Sequence, residues 1–83
     1  MIIRDLPLHV QIFVKVLKNN PNFKIGYSKK NNCIKLYSFY EKSTYFIYID
    51  RWAATEFDDL GRCIVKANHR SYSIWLNTGL IYV

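Results

Sequence analysis

Residues 23–50 read FKIGYSKKNNCIKLYSFYEKSTYFIYID, and this stretch decides the architecture. Three runs dense in Tyr, Phe and Ile, the residue types that strands favour, are parted by two short polar breaks. The breaks are Lys29-Lys30-Asn31-Asn32 and Glu41-Lys42-Ser43. The spacing predicts strands over 23–28, 33–40 and 44–50. Connections this short join antiparallel neighbours, so the three strands form a meander. Alternation along the second strand puts Lys35, Tyr37 and Phe39 on one face and Ile34 and Leu36 on the other.

Working outward, residues 6–19 read as a helix. Leu6, Val10, Phe13, Val14 and Leu17 recur at the spacing of one helical face. Asp5 is placed to cap, Pro7 falls in the first turn, and Asn20-Pro21 ends the run. Leu8, Val10, Ile12, Val14 and Val16 also alternate as a strand would. The helix is preferred because a strand would leave Phe13 and Leu17 on the polar side.

Past residue 50, the reading leans to a second helix over 55–69. Thr55, Glu56, Asp58 and Asp59 suit the start of a helix, and Lys66, His69 and Arg70 suit its end. Asp58 and Arg62 also make an i, i+4 pair. Gly61 counts against it, and the alternative is a strand over 62–67. Residues 71–76 and 80–83 close the chain as a hairpin about Asn77-Thr78-Gly79. The expected fold is α+β, an antiparallel sheet with one or two helices in the order α-βββ-α-ββ, as a single compact domain over 1–83.

Length and charge bound the function. A chain of 83 residues builds one core. Twelve Lys and Arg stand against 6 Asp and Glu, a net charge of +6. The balance is +6 over residues 1–49, −3 over 50–60 and +3 over 61–83. Such asymmetry favours an anionic partner for the basic part, beside its ordinary role in solubility. No apolar run is long enough to span a membrane, and the first seven residues lack the pattern of a secretory signal. The expected location is the cytoplasm.

The chemistry-bearing residues exclude more than they include. His9, Cys33, Cys63 and His69 are too scattered for a zinc motif, so the cysteines read as small reduced core residues. His9 reads as a partly buried, hydrogen-bonded side chain. Gly26, Gly61 and Gly79 form no phosphate-cradling loop. Asp58 and Asp59 point apart on a helix and do not grip one cation. Lys66, His69, Arg70 and Tyr72 are the right types for a metal-independent ribonuclease, if they converge. The expectation is a protein with no cofactor, no metal and no catalytic residue.

What remains is a set of cations interleaved with aromatic rings. Lys24, Tyr27, Lys29, Lys30, Lys35 and Tyr37 fall on the first two strands and their turn, Phe46 and Tyr48 on the third, and Trp52 just beyond. Stacking rings bordered by cations hold single-stranded nucleic acid on many sheets, and the same rings anchor protein interfaces. The expected α-βββ-α order resembles the double-stranded-RNA-binding domain. That module opens its second helix with lysines, where this chain has Thr55-Glu56-Phe57-Asp58-Asp59, so the resemblance ends at element order. Richness in Lys, Asn, Ile and Tyr together with small size is the look of many bacteriophage and mobile-element products, which often act as stoichiometric inhibitors. The leading expectation is therefore a non-enzymatic binding protein docked on a nucleic-acid-handling complex, such as a defence nuclease. Direct DNA or RNA binding is the alternative, a small ribonuclease the third reading, and an open sheet edge leaves room for a homodimer.

Overall fold

The structure is a computed structural model and describes residues 3–83, Ile3 by its backbone alone. Met1 and Ile2, which open the segment read as lacking a secretory signal, lie outside the described residues. After a 3₁₀ turn at Ile3–Asp5, helix α1 runs Leu8–Lys18. Strands β1 (Phe23–Ser28), β2 (Cys33–Ser38) and β3 (Ser43–Tyr48) follow. A 3₁₀ turn at Ile49–Arg51 leads into β4 (Trp52–Phe57), β5 (Arg62–Ala67), β6 (Arg70–Trp75) and β7 (Ile81–Tyr82). The class is α+β with antiparallel sheets, in the order α-βββ-ββββ.

Helix α1 buries Val10, Phe13, Val14 and Leu17, the stripe that the 3.6-residue spacing marks out. Asp5 makes no side-chain cap. Pro7 occupies the N-cap position, and its carbonyl accepts from the amides of Val10 and Gln11, both at 3.0 Å. The Gln11 amide nitrogen ties the helix back by donating to the Leu6 carbonyl at 2.7 Å.

Two meanders share one core. Strands β1-β2-β3 form the first sheet and β4-β5-β6-β7 the second, with α1 packed on β1 and β4, an edge strand of each. Ile34, Leu36 and Ile47 point inward from the first sheet, and Cys63, Val65 and Ile74 from the second; all six are fully buried. Burying a Leu, Ile, Val or Phe side chain contributes about 1.5–3 kcal/mol. The Phe13 ring meets Trp52 edge-on at 4.9 Å between centroids, so helix and second sheet lock through their largest rings.

The acidic end of the expected second helix is instead the turn between β4 and β5. The Asp58 carboxylate accepts from the backbone amides of Leu60 (3.0 Å) and Arg62 (2.9 Å), and Gly61 takes φ +85°. An Asp that bonds its own following amides turns the chain where a helix would carry it on. From there Cys63, Val65 and Ala67 are buried and Arg62, Ile64 and Lys66 face outward, a period of two. The strand alternative for 62–67 holds, and with no second helix the likeness in element order to the double-stranded-RNA-binding domain lapses. Two strand ends also move: Phe39 and Tyr40 belong to the β2–β3 turn, and Ile49 and Asp50 to the 3₁₀ turn after β3.

Side-chain bonds fasten loop to loop. The buried Ser38 hydroxyl donates to the Gly79 carbonyl at 2.5 Å, and the Asn20 and Asn22 amides both donate to the Leu76 carbonyl, at 2.8 and 2.9 Å. Glu41 accepts the Tyr45 hydroxyl at 2.7 Å through one carboxylate oxygen and the Ile81 amide through the other. Gly79 is required at its place: it takes φ +94°, and a Cβ there would stand 3.2 Å from that of Tyr40.

Candidate binding face

The register of β1–β3 lays out the surface turned away from the core. Three cross-strand rows run across it: Lys24–Tyr37–Thr44, Gly26–Lys35–Phe46 and Ser28–Cys33–Tyr48, with Cys33 itself buried in the last. Directly opposed side chains in such rows stand about 4.5–5.5 Å apart at Cβ, so each lysine borders an aromatic ring. None of the nine positions is acidic. The arrangement follows from sequence, because Ile34, Leu36 and Ile47 must point inward and their neighbours therefore point out.

The rings on this side are accessible. Phe39, Phe46 and Tyr48 are 52%, 48% and 40% exposed. Tyr37 is half-buried and meets Phe39 edge-on at 5.1 Å, extending the surface into the β2–β3 turn. The Arg51 guanidinium lies 5.7 Å over the Tyr48 ring, a cation–π contact at the margin of the face. Among the described residues, ion pairs within 4 Å are Arg62–Asp58 and Lys66–Glu56, both in the β4–β5 hairpin. The lysines of the first sheet therefore have no carboxylate partner.

Of the residues singled out from sequence, Lys24, Lys35 and Tyr37 come together on this face. Lys29 and Lys30 are exposed in the β1–β2 turn at its end. Tyr27 is on the opposite, core-facing side, half-buried, with its hydroxyl donating to Asn32 Oδ1 at 3.4 Å. Trp52 is a correction: 5% exposed and packed on Phe13, it offers no anchoring surface. Its indole nitrogen donates to the Thr55 hydroxyl at 2.8 Å, as a buried Trp requires. Arg51 escaped the sequence reading, because only the 3₁₀ turn after β3 brings it over Tyr48.

The other candidate residues lie elsewhere. Tyr72 is buried and accepts from the Asn68 amide at 3.0 Å, whereas Lys66, His69 and Arg70 are exposed and border one hollow beside the β5–β6 hairpin, which Tyr72 does not line. His9 is half-buried, with Nε2 donating to the Trp52 carbonyl at 2.9 Å. Cys33 and Cys63 are buried free thiols, and burial pushes the Cys63 thiol up to about 12. Burial first, then the bond to Glu41, likewise raises the Tyr45 phenol to about 12. Asp58 is held below the usual carboxylate range, chiefly by the Arg62 backbone amide. Among the described residues no three His, Cys, Asp or Glu side chains cluster, and no helix is long and apolar enough to cross a membrane. The chain matches no protein-family model, no curated protein and no solved structure.

Proposed function

We propose that the chain is a non-enzymatic binding protein that holds single-stranded nucleic acid on the outer face of β1–β3. The observation that carries this reading is the conjunction of three exposed rings with Lys24 and Lys35 on a surface that has no acid. Bases stack on such rings for about 1–3 kcal/mol each, whatever their sequence, while the lysines meet phosphates. A duplex hides its base faces, so single strands are preferred.

The charge also favours this reading over docking at a protein's nucleic-acid site. A site that binds nucleic acid is itself cationic, and a face bearing only lysines is repelled by it. The loss of Trp52 to the core removes a large anchor from the docking reading as well. Docking on a nucleic-acid-handling complex is kept as a second reading on one observation: Leu8, Ile12 and Val16 form an exposed apolar stripe along α1.

Fluorescence anisotropy with labelled oligothymidine and a matched duplex tests the first reading. Single strands are expected to bind more tightly, with log affinity falling against log salt by about 0.7 for each phosphate neutralised. Absent or salt-independent binding overturns it. A protein partner that survives nuclease treatment in affinity purification supports the second reading, and one lost with the nucleic acid opposes it.

A further inference from the structure

Beside the aromatic face lie two hollows that share their cations. The first, about 450 Å³, is lined by Phe46 and Tyr48 of β3 and by Asn68, Tyr72, Arg51 and Arg70. The second, about 640 Å³, is bordered by Ala53, by the small exposed margins of Trp52 and Ala67, and by Lys66, His69 and Arg70. Arg51 and Arg70 border both. Both hollows are shallow and open to solvent, so a strand can pass along them without threading through.

We propose that a bound single strand leaves the sheet at Tyr48, passes Arg51 and Arg70, and places further phosphates in the second hollow. This inference rests on the reading of the face given above. Three observations carry it. First, the β5–β6 hairpin is fastened to the edge of the aromatic face. The Asn68 amide donates to the Phe46 carbonyl at 3.1 Å, and the Tyr48 amide donates to Asn68 Oδ1 at 3.3 Å. The hollows therefore hold a fixed position relative to the rings, and binding need not order the hairpin.

Second, the cations are available. Arg51 and Arg70 have no carboxylate within 4 Å among the described residues. Lys66 lies 3.7 Å from Glu56 with both side chains 56% exposed, a pairing that water and salt weaken and that a phosphate readily displaces. Asp50, which also borders the second hollow, accepts from the Asn32 amide at 3.0 Å, and Arg51, Lys66 and Arg70 outnumber its charge. Third, the residue types fit phosphate recognition. Arginine forks grip phosphate oxygens in pairs and also stack, and Arg51 over Tyr48 is placed to do both.

The test is anisotropy on oligothymidines of about 4 and 12 nucleotides, using wild type, Lys24→Ala with Lys35→Ala, and Arg51→Ala with Arg70→Ala. Circular dichroism melts confirm that each variant is folded. Removing the two arginines is expected to weaken the longer oligomer about tenfold and lower its salt slope by about 1.4, with a smaller loss for the shorter one, which meets only Arg51 at the margin of the face. Arg51→Lys with Arg70→Lys, which keeps both charges, is expected to restore the slope. If the arginine pair binds like wild type while the lysine pair weakens both oligomers, the track is overturned and the face reading stands. If only the arginine pair weakens binding, the face reading falls and the hollow alone is the site. Wild type that binds neither oligomer removes both.

Discussion

The outer faces of the two sheets differ in how their cations are answered. On the second sheet, Arg62 lies 2.6 Å from the Asp58 carboxylate and 5.3 Å over the Trp75 ring, and Lys66 faces Glu56. On the first, Lys24 and Lys35 stand in rows with Tyr37, Thr44, Gly26 and Phe46, and no carboxylate meets them. Of the acidic stretch 50–60, Glu56 and Asp58 lie on β4 and its turn, where Lys66 and Arg62 of β5 meet them, while Asp50 bonds Asn32 from the 3₁₀ turn before β4. What the sequence displays as a lopsided charge along the chain thus becomes a difference between two surfaces. The Arg62–Asp58 pair holds a hairpin, and the cations without such a partner remain for a ligand.

The strongest way to break this contrast is to compare a core aromatic with one on the face. Trp52→Ala deletes a buried ring packed edge-on against Phe13 and is expected to cost about 3–5 kcal/mol in urea unfolding. Tyr37→Ala loses an edge-on contact with Phe39 and is expected to cost about 1 kcal/mol. Equal losses would mean that the face is structural and would remove the argument for a docking surface.

A second test uses pH, because the second sheet's core carries a thiol. The Cys63 thiol ionises near 9 when unfolded but is pushed up to about 12 by burial. The folded state therefore holds a proton that the unfolded state releases between those values. This contribution is fully present below pH 9 and is lost as pH rises toward 12, on the order of a few kcal/mol. The raised Tyr45 phenol, which donates to Glu41, acts in the same direction above its ordinary value of 10. Urea midpoints for wild type and Cys63→Ala between pH 8 and 12 check this, the variant showing the shallower fall. Parallel curves would mean that Cys63 is not held in the core.

The fold was legible wherever a single period ran without competition. Val10, Phe13, Val14 and Leu17 mark α1, and the Tyr- and Ile-rich runs mark β1–β3, because local alternation there coincides with burial. The stretch 55–69 misled because acids before and bases after an apolar run satisfy a helix dipole and an Asp-based turn equally well. The deciding signals were Gly61 and the alternation of Cys63, Val65 and Ala67. Trp52 could not be placed from sequence, because its burial depends on Phe13, far away along the chain. Arg51 was invisible for the same reason: its partner ring is set by a 3₁₀ turn that no spacing announces. Alternation alone was enough to put Lys35 and Tyr37 on one face, but Lys24 joins them only through the β1–β2 register.

The smallest effect on stability carries the sharpest test of the contrast. Lys24→Ala with Lys35→Ala removes two exposed charges that touch no acid, so stability is expected to stay within about 0.5 kcal/mol per site. Arg62→Ala breaks its pair with Asp58 and its contact over Trp75, and is expected to lower the urea midpoint more than the lysine pair does. Binding should reverse that order. The lysine pair neutralises about two phosphates, so its removal lowers the salt slope for oligothymidine by about 1.4, whereas Arg62→Ala leaves the slope at its wild-type value. If Arg62→Ala lowers the slope as much as the lysine pair does, the nucleic acid responds to total charge. The face then has no privilege over any other surface of a cationic molecule, because counterion release by diffuse charge needs no stacking platform.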